Sequence, residues 1–443
     1  MIETLGLFAL GIISGIFSGI MPGIGGLVMM VLSLPILMEC DPANILIFYI
    51  TLVSVDQFFS GVTAITLALP GSAMSVPTMI EGHHMFRNNQ GATAIMFSAV
   101  GSWFASVFAV LLIICLLPLL NNVYGVWNTI IQSTLFAIAT IGICTVSRNN
   151  VFFNFVLFFS GLFLAKVGWN EEQGDLLYTF GFTILETGIP VLSVLTGLFV
   201  VPMLATAYMK NKQAINFQRL NLGGYIQTVK DMRKHTSTLV RSSFLGSIGG
   251  FVPGMSYAFS SMFAYSVERW IRVTNKQYKP GDVKCLIASE SANNAGAFTQ
   301  MVPLLFLGIP ITASEALIYN ILESRGLPVD IEWFKSTFTQ VVFFFLISAT
   351  IGMFLAGKYV NFLRVLNKLK VEYVYLGIIL VCIALNYVVG AQQYNAVNQL
   401  MVTLLLIPIG LLFIKRDTTP LIFGFVLSEP LVDGFYRLYQ LYI

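Results

Sequence analysis

The chain has 443 residues, of which 56% are hydrophobic and only 10% are charged, and its formal net charge at pH 7 is +3. A soluble domain carries roughly 25% charged residues, so this chain lacks the polar surface that a water-soluble fold needs. Apolar runs of about 20 residues, the length that crosses a bilayer, recur from end to end. The composition predicts an all-α polytopic membrane protein, and the small net charge gives no indication of a nucleic-acid partner.

The apolar segments fall into two sets of about six. They lie near 5–38, 44–69, 92–120, 123–147, 151–168 and 184–208, and again near 237–266, 284–320, 337–360, 372–389, 394–414 and 420–441. We expect two homologous halves with roughly 10–14 membrane segments, because a broken segment can enter the membrane and return. The halves are assigned to a first transmembrane repeat at 1–209 and a second at 237–443, joined by a basic cytoplasmic loop at 210–236. Hydropathy leaves open whether the repeats are inverted or parallel.

Lysine and arginine residues predict the orientation. The loops at 210–241, 268–284, 358–370 and 415–416 hold most of the positive charge, and the positive-inside rule places them in the cytoplasm. The absence of Lys and Arg before Arg87 favours an extracytoplasmic N-terminus in the inner membrane. The first apolar stretch carries Glu3 in place of a basic region, so we expect no cleavable signal peptide.

Two pairs of proline-containing interruptions divide apolar runs at matching places. The prolines of the first pair are 231 positions apart and those of the second pair are 240 apart. Proline removes a backbone donor and glycine permits an unwound backbone, so the next half-helix begins with free N–H groups and a positive dipole end. Such ends near the membrane midplane suit a carboxylate without any arginine, whereas the alternative is that each proline only kinks its helix. The predicted substrate-binding residues are Pro22, Gly23, Pro70, Gly71, Ser72, Pro253, Gly254, Ser256, Pro310 and Thr312.

A polar cluster precedes the last of these breaks. Residues 288–295 place a carboxylate, two carboxamides and two hydroxyls among small side chains at the expected membrane depth. Such groups are costly to bury unless they pair or coordinate a ligand, and their oxygens suit a dehydrated alkali cation. The predicted cation-binding residues are therefore Glu290, Ser291, Asn293 and Asn294. The alternative is an interhelical hydrogen-bond cluster that only holds the bundle together.

Asp56 is the fifth predicted cation-binding residue. It lies with Gln57 in the second apolar run, which we expect to be interrupted around residues 56–61. An acid at membrane depth is a candidate proton or cation carrier. An equally weighted alternative makes Asp56 a helix-end residue that touches water at the tip of a hairpin. Glu186 and Glu315 are weaker candidates because they lie nearer the expected interfaces.

The histidines and cysteines give no metal site. His83 and His84 follow Glu81-Gly82 in an expected loop, and two adjacent histidines without further ligands make a poor site. The five cysteines are scattered without a Cys-x-x-Cys pair, so we expect small core residues. Neither a transition metal nor an organic cofactor is predicted.

Several blocks of sequence together carry a family resemblance. They are Gly19 to Gly25, Leu69 to Ala73, Thr78 to Gly82, Gly246 to Gly254, Glu290 to Ala295 and Pro303 to Pro310. With these blocks the chain resembles, over nearly its whole length, the large membrane subunit of the tripartite tricarboxylate transporter family. The Glu-Ser-Ala-Asn-Asn block followed by Leu-Gly-Ile-Pro is quite specific for it.

The resemblance implies a transporter and not an enzyme. A member of this family is a secondary transporter driven by a Na⁺ or H⁺ gradient, and its two homologous halves form the pathway through the membrane lipid. Its partners are a small four-helix membrane subunit and a periplasmic substrate-binding protein that delivers a carboxylate such as citrate. The leading alternative is a stand-alone transporter or channel of altered specificity without the binding protein. A membrane enzyme or a structural component is a distant third.

The sequence departs from the family pattern at both break elements. Phe58-Phe59-Ser60-Gly61 stands where the family usually has Tyr-Gly-Gly-Ser, and Ile311 replaces the glycine after Pro310. Asp56 occupies a position where a small residue is common. Added bulk and an added negative charge favour a smaller, less charged or zwitterionic substrate.

Overall fold

A computed structural model describes most of the chain and defines its helices. The described residues are 2–21, 25–67, 73–125, 137, 140–141, 144–145, 149–170, 175–210, 224–251, 257–307, 310, 312–325, 331–366, 371–392, 396–414, 416, 418–426 and 428. Helices dominate these ranges, as the composition predicts.

The first half of the chain contains eight described α-helices and a small β-ribbon. The helices are α1 (Ile2–Ile20), α2 (Gly26–Leu37), α3 (Pro42–Leu67), α4 (Val76–Met85), α5 (Gly91–Gly125), α6 (Val151–Ala165), α7 (Val191–Leu195) and α8 (Val201–Lys210). Strands β1 (Gly168–Asn170) and β2 (Asp175–Leu177) pair antiparallel, with Trp169 opposite Leu176. A π-type turn at Thr196–Val200 joins α7 to α8.

The second half contains ten further helices in the described ranges. They are α9 (Tyr225–Met232), α10 (Thr236–Phe251), α11 (Tyr257–Thr274), α12 (Val283–Thr299), α13 (Met301–Leu307), α14 (Ala313–Ser324), α15 (Ile331–Leu366), α16 (Val371–Gln392), α17 (Ala396–Leu412) and α18 (Thr419–Val426). Helix α9 and the 3₁₀ turn at Arg233–His235 belong to the basic loop that joins the halves.

Helix ends flank the proline-containing interruptions. Helix α1 ends at Ile20 before α2 begins at Gly26, and α3 ends at Leu67 before the 3₁₀ turn at Ala73–Ser75. In the second half α10 ends at Phe251 and α11 begins at Tyr257, while α13 ends at Leu307 and α14 begins at Ala313. Most residues of the interruptions themselves lie outside the described ranges.

Two sequence-based expectations about local structure are wrong. Helix α3 runs without interruption through residues 56–61. Asp56 there accepts a hydrogen bond from Ser18 of α1, and Gly61 lies against Glu290. His83 and His84 do not lie in a loop but in the last turn of α4. The chain turns only after them, at Phe86–Gln90, where Asn89 has a φ of 60°.

Glycines allow two helix pairs to approach closely, one in each half of the chain. In α1, a Cβ on Gly15 would stand 2.6 Å from the Leu52 carbonyl oxygen of α3. In α10, a Cβ on Gly246 would stand 2.3 Å from the Ala292 carbonyl oxygen of α12. Both approaches involve backbone, so neither position has room for a side chain.

The long helices cross between the two halves. Helix α5 packs along α12, and α15 packs along α3. In the described ranges, the stretches long and apolar enough to cross a membrane are Ile2–Ile20, Pro42–Leu67, Val76–Pro118 and Lys335–Lys358. Helix α3 differs from the other three because its apolar stretch is wholly buried within the protein. Polar side chains on α3 are therefore shielded from lipid by the surrounding helices.

The glycine contact between α10 and α12 predicts a position-specific loss of stability. Gly246→Ala places a methyl group against backbone and forces the helices apart, so the free energy of unfolding falls by about 1–3 kcal/mol. The matched control is Gly377→Ala in α16, where a Cβ meets no atom within 4 Å, and alanine there is neutral or mildly stabilising. Thermal unfolding of the detergent-solubilised protein compares the two, and equal midpoints would contradict the close approach.

Candidate functional site

The carboxyl group of Glu290 is completely buried where four helices meet. Helix α12 carries it, and Thr78 of α4 donates a hydrogen bond to its Oε1. Ser102 of α5 donates to Oε2 over 3.2 Å, and Ser98 is a third hydroxyl partner. Gly61 of α3 closes the fourth side, since a Cβ there would stand 3.0 Å from Oε2. Hydroxyl groups, not basic side chains, therefore hold this carboxyl.

Two neighbours of Glu290 reinforce this arrangement. Asn294 Nδ2 donates to Ser102 Oγ over 2.7 Å and to the Glu290 backbone oxygen over 3.1 Å. Ser289 Oγ lies 2.8 Å from Thr78 Oγ1. Glu290 and Asn294 thus make the interhelical hydrogen bonds that the sequence left as an alternative. These hydrogen bonds hold α12 against α4 and α5.

Other buried polar side chains have no hydrogen-bond partner among the described residues. Both amide atoms of Asn293 in α12 and of Gln300, which follows the last residue of that helix, are unpaired. Both amide atoms of Gln57 in α3 are also unpaired. None of these residues is more than 1% exposed. Ser291 Oγ is also unpaired, and its side chain lies beside Gly101 of α5. Unpaired groups at this depth are costly, so they are the prime candidates for contact with a ligand.

Asp56 belongs to a different interface from Glu290. It is buried in the middle of α3 and accepts a hydrogen bond from Ser18 of α1. This position excludes the alternative of a residue at a hairpin tip. Phe59 lies on the same side of α3 as Asp56, since a Cβ added to Gly19 of α1 would stand 2.6 Å from the Phe59 Cβ. Of the predicted cation-binding residues, the structure brings together those of α12 and places Asp56 apart from them.

Neither of these two carboxyl groups has a cationic partner. Within the described part of the chain, Glu290 and Asp56 take part in no ion pair; the pairs found there are Lys234–Asp231, Arg241–Glu268 and Arg272–Asp282. No group of three or more His, Cys, Asp or Glu side chains that could hold a metal ion occurs in the same part. The interruptions contain no charged residue in the sequence.

Pro310 and Thr312 are the predicted substrate-binding residues that the structure describes. Pro310 is buried. Thr312 is the N-cap of α14, because its Oγ1 accepts from the Glu315 backbone N–H over 3.2 Å. Glu315 Oε2 in turn accepts from the Thr312 N–H over 3.0 Å, which completes a capping box. The other predicted substrate-binding residues, Pro22, Gly23, Pro70, Gly71, Ser72, Pro253, Gly254 and Ser256, lie outside the described residues.

The sequence did not single out Glu81, a buried residue that joins the two halves. Its Oε1 accepts from the hydroxyls of Tyr265 over 2.9 Å and Tyr278 over 3.1 Å. Its Oε2 accepts from the backbone N–H groups of Gly281 over 2.8 Å and Asp282 over 3.0 Å. Helix α4 is thereby tied to the loop that precedes α12. Glu81 belongs to the family block Thr78 to Gly82, but no local pattern in the sequence identifies its donors.

The loop bound by Glu81 is shaped for this contact. Gly281 has a φ of +82° and lies beside His84, so glycine is required there. Burial and the nearby Glu81 charge raise the pKa of Tyr278, and its hydroxyl remains a donor at neutral pH. Arg269 lies 5.0 Å over the Tyr278 ring. Asp282 then begins α12 as its N-cap, accepting from the Lys284 N–H over 2.9 Å.

The fold and the buried cluster define a multi-pass helical membrane protein with a polar interior where its halves cross. The chain belongs to the tripartite tricarboxylate transporter TctA family, whose pattern matches residues 5–423. It therefore belongs to a family of transporters and not of enzymes, and the resemblance found in the sequence is confirmed.

Two relatives extend the comparison. An uncharacterized 52.8 kDa protein from the region 3′ of ttuC′ in TAR-I of Agrobacterium vitis is 30% identical over 319 residues, covering 72% of this chain and 63% of that protein. An uncharacterized protein of Methanocaldococcus jannaschii is 24% identical over 419 residues, covering 92% of this chain and 93% of the relative. No solved structure matches the chain.

The contacts of Glu81 predict a contrast between two substitutions. Glu81→Ala leaves four donors without an acceptor, two of them backbone N–H groups, and lowers the free energy of unfolding by about 3 kcal/mol or more. Glu81→Gln keeps an amide oxygen for the backbone donors and costs less. Thermal unfolding measures both, with the exposed Glu39→Gln as control. Equal losses for the alanine and glutamine variants would refute the role of these hydrogen bonds.

Proposed function

We propose that this protein is the large membrane subunit of a cation-coupled secondary transporter for a carboxylate-bearing small molecule. An extracytoplasmic substrate-binding protein delivers the substrate, and a small four-helix membrane subunit completes the complex in the inner membrane. Family membership supports the transporter class and the general need for partners. The loops rich in Lys and Arg face the cytoplasm in this proposal, and the N-terminus is extracytoplasmic.

The observation that carries the proposal is a polar interior whose carboxyl groups have no basic partner among the described residues. In the described part of the chain the buried amides of Asn293, one turn after Glu290 on α12, and of Gln57, one turn before Gly61 on α3, have no hydrogen-bond partner. Among the described residues, neither Glu290 nor Asp56 has an arginine or lysine partner that would attract an anionic substrate, and the buried acids repel it. A co-transported cation supplies the missing positive charge. The half-helices that begin after the interruptions supply N–H groups for the carboxylate.

The packing of α3 and α12 supports inverted repeats. These helices occupy equivalent positions in the two halves, since Gly15 and Gly246 make equivalent contacts with them. Gly61 of α3 lies opposite Glu290 of α12, and Tyr49, earlier in α3, donates to Glu315, which follows α12 and α13, over 3.4 Å. The two helices therefore run in opposite directions. Equivalent helices of opposite direction are typical of repeats related by an axis in the membrane plane.

Uptake measurements test the proposed function. Cells that express this chain with both partner subunits accumulate one or more labelled carboxylates from a panel, and replacement of sodium or collapse of the proton gradient abolishes accumulation. Glu290→Gln and Asn293→Ala each reduce the uptake rate by about tenfold or more, because they alter the buried charge and the unpaired amide.

The control variant is Glu39→Gln, whose position is exposed. It retains the uptake rate of the unaltered protein. Flux into proteoliposomes that contain this chain alone would favour the stand-alone transporter or channel. Uptake that is independent of both the sodium and the proton gradient would contradict cation coupling. Unchanged uptake and cation dependence in both substituted variants would contradict the assignment of the site.

A further inference from the structure

One face of α3 is turned toward α12. Ser54, Gln57 and Gly61 are spaced by three and four residues, so they lie along one side of the helix. Gly61 is in contact distance of the Glu290 carboxyl of α12. The opposite side of α3, with Asp56 and Phe59, packs against α1. Ser54 and Gln57 therefore lie on the side of α3 that meets α12.

The direction of the helices brings Gln57 level with the residues one turn after Glu290. Because α3 and α12 run antiparallel, one turn back from Gly61 corresponds to one turn forward from Glu290. Asn293 and Asn294 occupy that turn of α12. Asn294 is committed to Ser102 and to its own helix backbone, whereas Asn293 has no hydrogen-bond partner among the described residues. Gln57 and Asn293 thus stand at the same level of one interface.

The polar atoms at this level are unsatisfied on both helices. Both amide atoms of Gln57, both amide atoms of Asn293 and Ser54 Oγ have no partner in the described part of the chain. Each of these side chains is at most 1% exposed. The neighbouring Glu290 carboxyl, in contrast, accepts hydrogen bonds from hydroxyl groups of α4 and α5. These unpaired atoms point to a ligand between α3 and α12.

We propose that Ser54, Gln57 and Asn293 supply oxygen ligands of a site for a dehydrated sodium ion, with the Glu290 carboxylate as its counter-charge. The inference rests on the proposed function and names the coupling ion. Hydroxyl and amide oxygens are hard ligands that suit an alkali cation. A divalent ion draws on several carboxylates, and a transition metal prefers histidine or cysteine. Amide groups do not take up a proton at neutral pH, so Gln57 and Asn293 contribute to the binding of a metal cation and not of a proton.

The position of the ligands also explains how binding of the ion can be coupled to transport. Gln57 and Ser54 come from the first half of the chain, and Asn293 and Glu290 come from the second. An ion that bridges the halves stabilises the conformation in which α3 and α12 are together. Its differential affinity for that conformation shifts the population toward it.

Direct ion binding tests the inference without a substrate. The probe is ²²Na⁺ in equilibrium binding to the purified full-length protein, with choline replacing sodium in the reference buffer. The unaltered protein binds sodium saturably. Gln57→Leu and Asn293→Leu each raise the half-saturating sodium concentration by about tenfold or more, because loss of an interaction at a metal site typically costs 10–100-fold in affinity.

The matched control is Gln399→Leu in α17. This glutamine is equally buried and its Oε1 is also unpaired, but it belongs to a separate cluster with Ser193 and Thr403. We expect the Gln399→Leu substitution to leave sodium binding unchanged. Thermal unfolding in choline buffer shows whether each variant is folded. If Gln57→Leu does not fold, Gln57→Asn replaces it in the test; this variant keeps an amide oxygen on a shorter side chain, and we expect weaker sodium binding than in the unaltered protein.

The outcomes separate this inference from the proposed function. Sodium binding that is unchanged in Gln57→Leu and Asn293→Leu overturns the ion site while leaving cation-coupled uptake in place. Uptake that follows the proton gradient alone, without sodium binding, also overturns the site and retains the transporter. Failure of the proposed function is a different result: no gradient-dependent uptake occurs in cells with both partners, whatever the purified protein binds.

Discussion

The structure depends on how a carboxyl group is accommodated without a basic partner at the centre of an apolar protein. Glu290 is held by Thr78, Ser98 and Ser102, and Gly61 leaves the space that the carboxyl occupies. A buried charge is costly unless it is hydrogen-bonded and compensated. The hydroxyls provide the hydrogen bonds, but among the described residues no positive charge completes the arrangement. Helices of both halves therefore meet at one point, and the proposed cation would supply the charge that is missing there.

Close helix packing makes that central point possible. Glycines of α1 and α10 bring these helices against α3 and α12 at backbone distance, which leaves little void beside the polar groups. Small residues at helix contacts are the common means of association within membranes. Glu81 adds a second tie between the halves, away from the Glu290 cluster, by accepting from two tyrosines and two backbone N–H groups. The halves are thus joined by hydrogen bonds at two levels and by apolar packing between them.

The sequence predicts some of these features and not others, for identifiable reasons. Composition predicts the helical membrane class because a bilayer demands long apolar helices. The proline positions predict where helices end, since α13 ends at Leu307 and α14 begins at Ala313 around Pro310. The expected break at residues 56–61 is wrong, because small and polar residues in α3 serve contacts with α1, α12 and α15. Sequence spacing cannot tell those two uses apart.

The sequence alone does not show which side chains of the site face one another. The sequence grouped Asp56 with Glu290, but adjacent positions on a helix point about 100° apart, and Asp56 faces Ser18 while Gln57 follows the side of Gly61. Asn293 and Asn294 look equivalent in sequence, yet only Asn294 is hydrogen-bonded in the described part of the chain. The donors to Glu81 are 184 to 201 residues distant in sequence and have no local signature. Long-range partners of this kind decide which polar residue binds a ligand and which one holds the fold.

The location of the ion provides the most direct measurement of the central claim. A crystal structure of the complex grown with thallium(I), a heavy substitute for monovalent alkali ions, reveals bound ions through anomalous scattering. We predict a peak between α3 and α12, coordinated by Gln57 Oε1 and Asn293 Oδ1 and lost when sodium is in excess. A peak beside Asp56 and Ser18 with none between α3 and α12 would contradict the claim.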